Sequence, residues 1–305
     1  MTIIGRLVYK ATGIMSKKGI MKNCKVIGTT LADEIKLSGG KIEHKRIHEL
    51  LTERIGKKKA TNIIISEDLD TFKKVSTENL KISDELAEHY FNNTKSIVVP
   101  NLRTKETLLC LRTNTMNNTD ALNATGHELE HVLYNNVSLF AKFKNIILKY
   151  APKAIFEEVL KETSELLNKN GLLLQQHLIT FSKLGADALS GNTKYKAGLQ
   201  GLLNQTETKD REQLHQKIST IIRDKILPDY KTKDKLTILN GLKRLLKDES
   251  RAYKVGGAIQ RYVEPNETIS KSEMLAQLYN EAITVIKQEI KIQKKAQKLE
   301  SLTSK

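Results

Sequence analysis

The sequence contains no tryptophan, and Phe and Tyr together reach only 5% of its 305 residues. A core without large rings has to rest on Leu, Ile, Val and Ala. Its two cysteines, Cys24 and Cys110, allow at most one bridge. Neither sits in a Cys-x-x-Cys pair, which excludes a thiolate zinc ribbon and a dithiol redox motif and points to reduced thiols in a cytoplasmic setting. No stretch approaches the roughly 20 apolar residues of a membrane span. The N-terminal segment breaks its short apolar runs with Arg6, Lys10, Lys17 and Lys18 and lacks the features of a signal peptide. Export would therefore need a route independent of a standard signal peptide, as for a translocated effector. Also missing are a Gly-x-x-x-x-Gly-Lys phosphate loop, a dinucleotide fingerprint, a Gly-x-Ser-x-Gly elbow and the Pro-Cys-x-x-Cys of nucleobase deaminases.

What is present is a soluble-protein composition, 39% hydrophobic and 28% charged, with a formal net charge of +16. Such an excess is the usual footprint of nucleic acid, anionic lipid or an acidic protein. Its distribution argues otherwise for one region. Residues 1–60 hold 14 Lys and Arg against 5 Asp and Glu, and residues 132–248 hold 20 against 12, whereas residues 61–131 hold 7 against 11. The acidic stretch carries the chain's main chemical motif, and an enzyme acting on nucleic acid would place basic residues there instead. Nucleic acid is therefore not the expected substrate.

Periodicity organises the chain. After the turn Ser38-Gly39-Gly40, Ile47, Leu50, Leu51 and Ile55 recur at helical spacing, so residues 1–60 read as a basic helical segment. Residues 62–66 (NIIIS), 96–100 (SIVVP) and 107–112 (TLLCLR) read as strands, the last two as a hairpin. Asn117, Asn118 and Thr119 offer N-caps for a helix over DALNATGHELEHVLYNN. Residues 140–247 read as a helical insertion punctuated at Pro152, Gly171, Gly191 and Pro228. A helix from about Asp248 to Val263 and a last one over about 270–300 complete a predominantly helical α+β chain.

The segment His127-Glu128-Leu129-Glu130-His131 lies on the helix after the hairpin. Histidines four residues apart rise about 6 Å and share a face, so both imidazoles can reach one metal from a regular backbone. Glu128, beside the first, can take a proton from a metal-bound water. By chance this pattern would occur in roughly one chain in eighty of this composition, so context has to decide. The hairpin upstream, the capped helix and the small Gly126 beside His127 supply it. His44 and His48 are also four apart, but Lys45 replaces the glutamate and the surroundings are basic, which favours a solvated face. His89, His177 and His215 stand alone.

A catalytic zinc needs a third protein ligand. No Gly or His follows at the positions of the three-histidine metzincin pattern, where Tyr134 and Val137 stand. With Asp248-Glu249-Ser250-Arg251-Ala252-Tyr253 downstream, the chain resembles the gluzincin class of zinc metallopeptidases, which place a ligand in a Glu-x-x-Ala segment on a second helix. The resemblance covers the hairpin, the helix of the histidine pair and the short segment around Glu249. It implies one Zn2+ per chain held by His127, His131 and Glu249, with Glu128 as general base, a protein or peptide substrate, and a zincin-like small sheet behind the active-site helix. Ala252 would let the second helix come close, and Tyr253 could donate to an oxyanion or simply pack. Glu157, Glu158, Glu162 and Glu165 remain rival ligands. The Asp that thermolysin-like enzymes carry four residues after the ligand is Tyr253 here. On this reading the domains are residues 1–60, 61–139 with the zincin-like sheet, the insertion 140–247, and 248–305 with the third ligand. The alternatives are a helical binding protein for an acidic protein, nucleic acid or lipid with a structural or inactive metal site, and a pseudoenzyme that keeps zinc for stability.

Overall fold

A computed structural model describes residues 14–80, 82–100, 106–138, 141–142, 208–230, 232–266 and 270–303. They form a predominantly helical α+β structure with one three-stranded mixed sheet. The chain divides into two compact units, residues 1–172 with 254–270, and residues 173–253 with 271–305. Among the described residues no helix is long and apolar enough to cross a membrane.

The first unit begins with α1 (Lys17–Ser38). Ser16 Oγ accepts from the Gly19 amide at 3.1 Å, and Gly39 at φ +67° ends the helix by donating to Ile35. A positive φ of this kind costs glycine nothing and closes a helix in the left-handed manner. Then follow α2 (His44–Ile55), the single turn α3 (Lys57–Ala60), β1 (Ile63–Ser66), α4 (Leu69–Leu80), α5 (Asp84–Asn93), β2 (Ser96–Pro100), β3 (Thr107–Leu111) and α6 (Asn118–Val137). The strands stand in the order β1-β3-β2. β1 runs parallel to β3, and β2 pairs antiparallel in the expected hairpin, Ser96 opposite Leu111 and Pro100 opposite Thr107.

β3 is buried along its whole length, and its alternation divides two cores. Leu109 and Leu111 join Ile20, Cys24, Ile27 and Leu31 of α1 and Leu122, Leu129, Val132 and Leu133 of α6. Leu108 and Cys110 pack on the opposite side with Phe72, Ala87, Phe91 and Val99. The burial of Cys110 pushes its thiol pKa up to about 12, so it stays protonated and behaves as an apolar side chain.

The basic N-terminal segment is built into the first unit. α1 and α2 share the α6 core, with Ile47, Leu50, Leu51 and Ile55 buried. The expectation that His44 and His48 face solvent fails. His44 Nε2 donates to the Leu111 carbonyl at 2.9 Å and His48 Nε2 to the Ala60 carbonyl at 3.1 Å. The same four-residue stagger that suits a metal here ties α2 to the end of β3 and to α3. A backbone carbonyl is a sufficient partner for a neutral imidazole.

In the second unit α7 (Thr208–Thr220) runs on through a π turn (Ile221–Ile226) and stops at a 3-10 turn, Leu227–Asp229, built around Pro228. There follow α8 (Thr232–Val263) and α9 (Lys271–Thr303). The helix expected from Asp248 thus starts at Thr232, because no breaker stronger than Gly241 intervenes. α8 contributes to both units without interruption. Ile218, Ile222, Leu239, Leu242, Leu246, Leu278, Ala282 and Ile286 belong to the second unit's core. Residues 143–207, which include most of the expected insertion as well as Glu157, Glu158, Glu162, Glu165 and His177, lie outside the described residues.

That core also buries two carboxylates of α9. Glu281, 4% exposed, accepts from His215 Nε2 at 2.6 Å, Arg211 Nε at 3.1 Å and Gln277 Nε2 at 3.1 Å; His215 is therefore not isolated. Glu289, 3% exposed, accepts from Arg223 Nε at 3.0 Å. Removing one partner of such a buried arrangement leaves the others without compensation. Glu281→Ala is expected to lower unfolding stability by about 3 kcal/mol, and Glu281→Gln by less. Equilibrium urea denaturation checks the order.

Candidate metal centre

α6 opens where Asn117 Oδ1 accepts the Asp120 amide at 2.8 Å, directly after β3 and the 3-10 turn Thr113–Thr115. The cap fixes which face of the helix meets the core. Leu122, Leu129, Val132 and Leu133 turn inward, leaving His127 and His131 half-buried on one side with ring centroids 5.1 Å apart.

The C-terminal part of α8, from Lys254 to Val263, crosses α6 at two glycines. A Cβ on Gly126 would lie 2.2 Å from Ile259 Cδ1 and 3.5 Å from the Gly256 Cα. A Cβ on Gly256 would lie 2.8 Å from the Asn123 backbone oxygen, which has no room to move aside. Asn123 Nδ2 donates to Gln260 Oε1 at 3.1 Å across the same crossing. Glu249 stands about two turns before Gly256 in the same unbroken helix, hence close to the same face. His127, His131 and Glu249 each offer one ligand atom, and the three atoms lie within 4.8 Å of one another.

Two imidazoles and a carboxylate are the donor set of a zinc site with an open fourth position. In a tetrahedron with bonds near 2.1 Å, ligand atoms stand about 3.4 Å apart, so metal capture asks for side-chain movement of no more than about 1 Å. The three residues fit a metal ion.

Glu128 lies one position round the helix from the ligand face, 6% exposed, and Ser96 Oγ of β2 donates to its Oε1 at 2.9 Å. The carboxylate thus sits beside the edge strand. Tyr253, half-buried, sets its ring edge-on to Tyr279, centroids 5.6 Å apart, and packs against the second unit's core. Ala252 is fully buried, and Ser250 Oγ donates to the Ala276 carbonyl of α9 at 3.0 Å, fixing the turn that carries Glu249.

Three contributors escape sequence reasoning. Gly256 makes the close crossing; its only signal is a Gly-Gly pair inside a helical period. Ser96 holds Glu128. Glu130, fully buried, places Oε2 3.9 Å from His131 Nδ1. That distance is too long for a hydrogen bond, so Glu130 acts on His131 only through its charge. The same charge adds to burial, the larger cause, in raising the Cys24 thiol pKa well above its ordinary value.

The chain matches no protein-family model, no curated protein and no solved structure.

Metal analysis of the purified chain is expected to give about one metal ion per chain for wild type and Glu128→Gln, and little for His127→Ala or Glu249→Ala. Gly256→Ala tests the crossing separately: its Cβ meets backbone at 2.8 Å, so metal affinity should fall about ten-fold or more along with thermal stability. Unchanged metal content and melting temperature in that variant would show that α6 and α8 do not depend on close approach.

Proposed function

We propose that this chain is a zinc-dependent endopeptidase. The observation that carries the reading is the cluster of His127, His131 and Glu249 next to a buried Glu128 that Ser96 holds in place. In this proposal the three residues hold one zinc ion, which when bound supplies Lewis acidity for a water and for the scissile carbonyl. Glu128 accepts the proton of the attacking water and passes it to the departing amine. The hydrogen bond from Ser96 keeps that carboxylate in one rotamer, so the transfer needs little reorganisation.

The sheet edge supports an extended substrate. Among the described strands β2 pairs only with β3, which leaves its other edge able to bond a peptide backbone. Ser96, the first residue of that strand, is also the residue bonded to Glu128, so a peptide laid along β2 would run beside the base. Tyr253, one turn after Glu249, is the proposed oxyanion donor. That role would require its hydroxyl to reach the substrate while the ring keeps its contact with Tyr279.

Hydrolysis of a mixed peptide library, followed by mass spectrometry, tests the proposal. Wild type should cleave, a chelator should stop cleavage, and added zinc should restore it. Glu128→Gln should retain zinc and lose at least about a hundred-fold in rate. Zinc retention without any wild-type cleavage would favour the alternative of a structural metal in a binding protein.

A further inference from the structure

The last turns of α9 carry a second feature, independent of the metal centre. A step of about 100° per residue puts Lys287, Lys291, Lys294 and Lys295 within an arc of about 100° and a length of about 12 Å. All four are exposed. From 274 to 299 the helix has only two acidic residues, Glu281 and Glu289. Both are buried, and arginines hold them.

Next to the lysine face, beyond Lys295, lie Ile292 and Leu299, 45% and 64% exposed. On the helix they stand about 20° apart in projection and about two turns from each other. An exposed Ile and Leu contribute nothing to binding a phosphate backbone, whereas a lysine face bordered by large aliphatic side chains matches the headgroup and acyl boundary of an anionic bilayer. Lysine stems reach along apolar surface while their ammonium groups stay among the headgroups.

We propose that the C-terminal half of α9, residues 287–299, is a docking surface for membranes rich in anionic lipid. Phosphates or carboxylates of the headgroups pair with the lysines, and Ile292 and Leu299 enter the acyl boundary. Each lysine near such a surface contributes about five-fold in binding.

Co-sedimentation of the full chain with vesicles tests it. Vesicles of phosphatidylcholine in which roughly a third of the lipid is phosphatidylserine should bind the protein at about 0.1 M salt, and pure phosphatidylcholine should not. Lys291→Glu, Lys294→Glu and Lys295→Glu combined should weaken binding by about a hundred-fold or more. Ile292→Asn with Leu299→Asn should weaken it about ten-fold. These side chains are exposed, so circular dichroism and melting should match wild type. Absence of binding to the anionic vesicles, equal binding to both kinds, or no effect of the lysine changes would overturn the proposal. So would a protein indifferent to the Ile292 and Leu299 changes that a short DNA duplex strips from the vesicles, since the face would then be a general polyanion site.

Discussion

Ile259 lies between two helices that have no side chain where it passes. A Cβ on Gly28 of α1 would come within 2.1 Å of its Cδ1, and one on Gly126 of α6 within 2.2 Å. One isoleucine therefore occupies the space that both glycines vacate, and Gly256, about one turn earlier, lets its backbone come against Asn123. Interiors packed at crystal-like density transmit small volume changes to their neighbours, so these contacts hold this part of α8 within narrow limits. Glu249 belongs to the same helix, on the turn that Ser250 ties to the Ala276 carbonyl of α9.

A similar division of labour governs the strand edge. β3 splits its side chains between two cores and needs both neighbours for its backbone, leaving β2 outermost and Ser96 at its start. A serine there satisfies one oxygen of a buried carboxylate, a group that is expensive to keep away from water without a donor. Glu281 and Glu289 meet the same requirement with arginines and a histidine. Glu128, Glu281 and Glu289 are thus each held by a donor from another element, which fixes the relative register of the elements joined.

Much of the first unit is legible because its signals are local. Two short β-rich runs, 96–100 and 107–112, with a polar stretch between them mark the hairpin, Asn117 marks the start of α6, and the four-residue histidine spacing implies a shared face. Glu249 can be nominated because Glu249 to Ala252 has the form Glu-x-x-Ala on a segment read as helical. What stays hidden depends on contacts far apart in sequence. His44 and His48 read as solvated because nothing near them names Leu111 or Ala60 as partners. Glu130 carries no sequence signal that sets it apart, yet it is fully buried. Gly256 reads as a weak point in a helix, because a glycine's value at a crossing is a property of the other helix. The start of α8 is illegible for a related reason: propensity alone is neutral between one helix and two when only Gly241 and polar residues separate them.

The first unit is discontinuous in sequence, and this sets an order of events during synthesis. Residues 14–138 can form their sheet and pair α1 with α6 early, but the slot between Gly28 and Gly126 stays unfilled until Ile259 has been made. Everything between, including all of residues 143–253, leaves the ribosome first. At about 5–20 residues per second that interval lasts on the order of ten seconds or more, during which α6 presents its two histidines with no Glu249 beside them. Any catalytic competence would therefore arrive only once most of the chain exists.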